Sequence, residues 1–227
     1  MSLWTRITEA VSALASGEGL SHVFERLRTP PERRVAFAIA VIALGAKMAK
    51  ADGQVTRGEV SAFREVFQIA QDDEAGAARV FNLARQDVAG FEEYAARIKA
   101  MFGDQTGALS DLLEGLFHIA MADGKYHPDE NLFLERVAEI FEVPEPEFRQ
   151  MRCRFVPDAE PDPYQVLGAS PDDSLDVLRK RHREMVRASH PDRMVARGVP
   201  KEAMRLAEKR MTDINRAWDR IQAERGA

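Results

Sequence analysis

Apolar residues recur every three or four positions through most of the chain, the spacing that lays a single stripe along a helix. Leu109, Leu112, Leu113, Leu116, Phe117 and Ala120 keep it without a break, and Phe91, Tyr94, Ala95, Ile98 and Phe102 form a similar stripe. No convincing stretch alternates residue by residue as a half-buried strand does. The pattern predicts an all-α protein. An uncharged run from Val35 to Ala46 follows Arg33 and Arg34 and imitates the apolar centre of a signal peptide. Twelve residues fall short of the roughly 20 that cross a bilayer, and more than thirty precede the run, so neither a span nor a signal is expected. Ahead of it, Trp4, Ile7, Val11 and Leu14 share one helical face. Packing against its own domain is favoured for that face over lying on a membrane or docking on a partner.

Shifting the front of the chain by 71 residues exposes an internal repeat. Ala49, Ala51, Asp52, Gly53, Glu59, Val66 and Ile69 fall on Ala120, Ala122, Asp123, Gly124, Glu130, Val137 and Ile140. Each copy places Asp-Gly where one helix ends and the next begins. Gly53 and Gly124 can adopt the left-handed conformation that closes a helix, and Thr56 with Glu59 reads as a capping box. In the second copy Pro128 falls at the first helical position with Glu130 near the free amides of the turn. The same spacing imitates the back half of a calcium loop. Met48 and Lys50, or Ile119 and Met121, stand where the leading carboxylates of such a loop belong, so turn and cap is the better reading.

From Val156 to Pro163 the sequence alternates proline with acid, which disfavours helix and suits a semi-rigid spacer. Beyond it, Ser170-Pro-Asp-Asp-Ser174 reads as a helix entrance. At about 100° per residue, Leu175, Leu178, His182, Met185 and Ser189 fall in one arc of the helix that follows, and Arg179, Lys180, Arg183 and Arg187 fall in another. One face packs and the other is basic. Met204, Ala207, Met211, Ile214, Trp218 and Ile221, alternately three and four apart, supply the packing partner of an antiparallel hairpin. Pro191 forces the chain out of the first helix, so His190 and Asp192 are expected at an exposed tip.

Composition narrows the function. The chain has 227 residues, 45% of them hydrophobic and 30% charged, which fits two globular domains. From residue 157 onward 14 Lys and Arg face 13 Asp and Glu, leaving 18 against 24 ahead of it. An acidic front half is a poor partner for nucleic acid. Cys153 is the single cysteine, so no internal disulfide and no pair of thiol metal ligands exist, and a small buried hydrophobe is its expected role. His182 has no carboxylate or nucleophile spaced to work with it and reads as a packed histidine. Use of His190 as a catalytic base lacks the nucleophile or metal cluster it needs. Neither catalytic residues, metal ligands nor a cofactor are assigned.

Lys47-Met-Ala-Lys-Ala-Asp-Gly53 and His118-Ile-Ala-Met-Ala-Asp-Gly124 resemble the tellurite-resistance TerB-like helical domain. The resemblance implies a helical bundle with an acidic surface that binds metal or protein partners under stress, with Asp52, Glu59, Asp123 and Glu130 the positions to watch. Asp162-Pro-Tyr-Gln-Val-Leu-Gly168, His190-Pro191-Asp192 and Ile214-Asn-Arg-Ala-Trp218 resemble the J domain of DnaJ-type cochaperones. That resemblance implies a tip and basic face, His190, Pro191, Asp192, Arg179, Lys180, Arg183 and Arg187, that dock on a DnaK-type chaperone and promote its ATP hydrolysis. His182 departs from the usual tyrosine, and Ala188 and Ser189 from a common basic-aromatic pair.

The expected organisation is an amphipathic helical segment over 1–29, a TerB-like domain over 30–155, a linker over 156–161 and a J domain over 162–227. TerB-like and J domains joined in this order, with the Ala196–Pro200 loop between the J helices, resemble the DjlA type of DnaJ-like cochaperone. An unidentified client is expected to bind the front domain. Some members of that family are anchored by a spanning helix; none is read here, so a cytoplasmic location is expected, with peripheral contact at the inner membrane through residues 1–29 as the less favoured alternative to packing. The alternative is a metal-binding stress-response protein of the tellurite-resistance kind.

Overall fold

A computed structural model describes residues 5–7, 33–51, 78, 81–82, 90–156 and 161–226. Every regular element among them is helical, as the spacing of apolar residues predicts. The signal-like run becomes α1 (Arg33–Ala51). It is apolar all round, and from Val35 to Met48 every residue is buried, so it serves as a central helix of a bundle. Lys47, at the end of that buried stretch, holds its ammonium 4.9 Å from the centre of the Tyr94 ring.

Around α1 pack α2 (Phe91–Phe102) and α3 (Thr106–Ala120), while α4 (Pro128–Phe141) closes over α2 and α3. The helix α5 (Glu145–Phe155) lies on α3 and brings Phe148 and Phe155 to within 5.4 and 5.7 Å of the Phe117 ring centre. Both stripes read from the sequence line this core: all six residues of the α3 stripe are buried, as are Tyr94, Ala95, Ile98 and Phe102 on α2.

Between α3 and α4 the chain makes a 3-10 turn, Met121–Asp123, and Gly124 follows in the left-handed region at φ 78°. Pro128 opens α4, and the His127 amide donates to Glu130 Oε2 at 2.9 Å. Glu130 therefore caps a helix, as its position in the turn predicts. Its counterparts Asp52, Gly53, Thr56 and Glu59 lie outside the described residues. A Cβ on Gly124 would meet nothing within 4 Å, so Gly124→Ala isolates the cost of the positive φ. About 1 kcal/mol of stability should be lost, read from the denaturant midpoint.

The terminal segment holds α6 (Pro163–Val166), α7 (Leu175–Ala188), α8 (Pro191–Ala196) and α9 (Met204–Arg225). Tyr164, Val166, Leu167, Leu178, Ile214, Ala217, Trp218 and Ile221 form a second core. Cys153 reaches it from α5, half-buried, and burial pushes its thiol up.

One sequence expectation needs correction here. Met204 and Ala207 do not face α7 in the hairpin; together with Leu206 they pack on the front core. The 196–200 connection packs on that same core as well, with Val199 and Met194 fully buried in it. Periodicity identifies an apolar face without saying what covers it, and α9 divides its face between two cores.

Ile7, the member of the N-terminal stripe that lies within the described residues, has 0% exposure and belongs to the front core. Its burial agrees with the favoured packing on its own domain and corrects, at this position, the alternative of membrane contact through residues 1–29. Among the described residues no helix is long and apolar enough to cross a membrane.

Candidate functional site

The second core presents α7 edge-on to solvent. Ser174 caps it, its hydroxyl accepting from the Val177 amide at 3.4 Å, and Leu178 is its fully buried anchor. His182 lies flat against Trp218, ring centres 5.1 Å apart, with Nε2 3.0 Å from Asn215 Oδ1. It is a packed histidine held by α9. On another side Arg179, Lys180, Arg183 and Arg187 are all exposed, and Arg181, also exposed, falls about 100° beyond Lys180 around the helix. Arg179 pairs with Asp176 at 3.3 Å across a gap open to water, an interaction worth little.

The helix stops at Ala188, and Ser189 is buried beneath the bend. His190 then caps α8, with Pro191 in the first helical position. The His190 Nδ1 accepts from the Asp192 amide at 3.2 Å. In the neutral ring the proton therefore sits on Nε2, the nitrogen that the cap leaves unused. The side chains of His190 and Asp192 are 56% and 92% exposed. The tip is thus a short ordered turn with a fixed ring and an open carboxylate, and it adjoins the basic strip on the same end of α7.

The second His-Pro-Asp, at 127–129, meets different surroundings. There the proline starts α4 and the preceding amide is capped by Glu130. Among the described residues no three His, Cys, Asp or Glu side chains converge as a metal ion would require.

Sequence reasoning missed the residues that seat the tip on the front bundle. Asp111 and Glu114 on α3 are each 1% exposed. Arg197, just past α8, donates from Nε to Asp111 Oδ2 at 2.8 Å, and Arg210 of α9 donates to Asp111 Oδ1 at 2.8 Å. Glu114 pairs with Arg210 and receives a two-pronged contact from Arg154 of α5 at 3.0 and 3.1 Å. Burial pushes the Asp111 carboxyl up, against the pull of Arg210 and Arg197. Burial acts on Glu114 in the same direction, but Arg154 and Arg210 outweigh it and hold that carboxyl at about 2. The available signal was two acids on an otherwise apolar face of α3. Nothing local pointed to their partners.

This chain matches the family model described as tellurite resistance protein TerB over residues 38–153. It is similar to the co-chaperone protein DjlA of Aliivibrio fischeri, 27% identical over 86% of this chain and 81% of that protein. It is also similar to the co-chaperone protein DjlA of Escherichia coli K12, at 22% identity over 100% of this chain and 99% of the other. No solved structure matches it. These names carry a co-chaperone role and no compartment, so the expected cytoplasmic location is withdrawn along with the membrane contact. With the TerB family model covering half of its residues and DjlA co-chaperones aligned along most of its length, the chain belongs to the TerB family and is of the DjlA co-chaperone type.

Proposed function

We propose that this chain is a J-domain cochaperone that binds a DnaK-type chaperone and stimulates its ATP hydrolysis, contributing no catalytic group. In this reading residues 162–227 are the J domain. Residues 30–155, the TerB-like domain, recruit a client or other protein partner. One observation carries the proposal: an exposed basic strip, Arg179, Lys180, Arg183 and Arg187, runs directly into an exposed, ordered His190-Pro191-Asp192 turn. The strip supplies attraction toward an acidic surface and raises the encounter rate, while Asp192 offers an open carboxylate for a charge-assisted bond from a partner arginine. His190 and Pro191 give the contact its shape.

The reading is tested by measuring steady-state ATP turnover of a DnaK-type chaperone with and without the full chain. Turnover should rise with chain concentration. Exposed charges act over a Debye length of about 8 Å at physiological salt, so the effect should weaken as salt is added. Reversing two charges, Arg183→Glu with Arg187→Glu, should slow association by about an order of magnitude with helical content unchanged. A parent chain that leaves turnover flat, or a reversed strip that binds as well as the parent, rejects the proposal.

A further inference from the structure

Arg197 touches both sides of the seam between the tip and the front bundle. Its Nε donates to Asp111 on α3, and both terminal nitrogens reach the Ala188 carbonyl at 3.2 Å. That carbonyl closes α7 immediately before the tip, where a helix leaves its acceptors unpaired and favours a cation. One planar guanidinium thus binds the end of the basic helix to a buried carboxylate of the other core. The route of the side chain is itself specified from the front bundle. Its Cδ passes over Gly107, in the first turn of α3, where a Cβ would come within 2.8 Å of it. The apolar residues Met194 and Val199 flank the same seam and are buried in the front core, so the tip is held on both sides of His190-Pro191-Asp192.

We propose that Arg197 is a positioning residue for the tip: through Asp111 and the Ala188 carbonyl it makes the geometry of His190-Pro191-Asp192 a property of the whole chain and not of the hairpin alone. The inference rests on the chaperone reading of that tip. A tip released from the clamp samples other orientations, and only the fraction in the docking geometry can engage. Apparent affinity then falls by that fraction, while the effect at saturation is retained.

The experiment uses the full chain and three variants, Arg197→Ala, Arg197→Lys and Gly107→Val. The lysine keeps a charge for Asp111, but its compact ammonium cannot serve both acceptors as the fork does. The valine displaces the Arg197 stem from the far side of the seam while removing no charged group. Thermal melts establish that each variant is folded. Amide hydrogen exchange over residues 188–194 is measured on the chain alone, and stimulation of the chaperone's ATP turnover is measured against chain concentration.

Arg197→Ala and Gly107→Val should each quicken exchange at the tip by about 10-fold or more, as loss of a charge-assisted tie implies. Both should raise the half-maximal concentration by a similar factor and keep the same plateau. Arg197→Lys should fall between these and the parent. Unchanged exchange in the alanine and valine variants overturns the proposal, as does quickened exchange with an unmoved stimulation curve or a lowered plateau at an unmoved half-point. A parent chain that stimulates nothing defeats the chaperone reading instead, and the exchange comparison alone then decides whether the clamp holds the tip.

Discussion

His190→Gln should abolish stimulation of the chaperone's ATP turnover, while His127→Gln should leave it at the parental level. The two positions carry the same tripeptide and differ in setting. His190 stands out at the end of a basic helix with its ring fixed by the Asp192 amide. Glutamine there keeps size and polarity, but its flexible amide replaces a planar ring and loses the capacity for charge. Around His127 the structure is a helix start, with Pro128 in the first turn and a capping box shared between His127 and Glu130. Glutamine keeps the backbone amide bonded to Glu130, so at most about 1 kcal/mol of stability should be lost. Steady-state assays of both variants, each shown to be folded by circular dichroism, decide the matter. Equal stimulation by the two would remove the tip from the mechanism.

The largest stability effect should come from Glu114→Ala. Removal of one partner from a buried ion pair leaves the others desolvated and unpaired, at a cost of about 3–5 kcal/mol. Here it strands Arg154, whose side chain is 4% exposed, and leaves Arg210 only Asp111. Urea unfolding should show a lower midpoint and an unfolding free energy reduced by that amount, a large part of the roughly 5–15 kcal/mol that holds a domain folded. A change below about 1 kcal/mol, the range of exposed pairs, would mean that the pairing adds little. The same carboxylate gives the parent an acid limit. Its folded value of about 2 lies below the ordinary 4.5, so its contribution is complete above 4.5 and drains away as pH falls toward 2. Asp111, pushed up by burial, takes its proton earlier in the folded state and offsets part of that loss. Removing Glu114 should flatten the acid-side slope of stability against pH.

Much of this arrangement was legible from residue spacing. The stripes on α2 and α3 and the separation of His182 from the arginines of α7 follow from a period of 3.6 residues, and the helix entrance at Ser174 follows from local cap chemistry. Gly124, Pro128 and Glu130 were legible because turn and cap chemistry is local. The repeat in the front half is visible in the sequence, and only its second turn lies within the described residues. The seam was not legible. Asp111 meets Arg197 and Arg210 from 86 and 99 residues away, and no local pattern encodes a meeting at that distance. Nothing local marks Asp111 and Glu114 as buried, because burial is a property of the assembled bundle. For the same reason spacing alone places Met204 and Ala207 on the hairpin: it fits either core.

The division of α9 bears on how the chain can be taken apart. A helix of 22 residues is a rod about 33 Å long, and its first turns sit in one core while the rest sits in the other. Cutting the chain at the proline-rich stretch near residue 157 therefore does not yield two finished modules. The terminal fragment would carry Met194, Val199, Leu206 and Ala207 uncovered, a sticky apolar flank beside two arginines deprived of their carboxylates. The front fragment would keep Asp111 with neither of its cations. Neither piece is a neutral stand-in for its part of the whole, and melting of the intact protein should run as one cooperative transition, because the shared rod cannot leave one core without loosening the other.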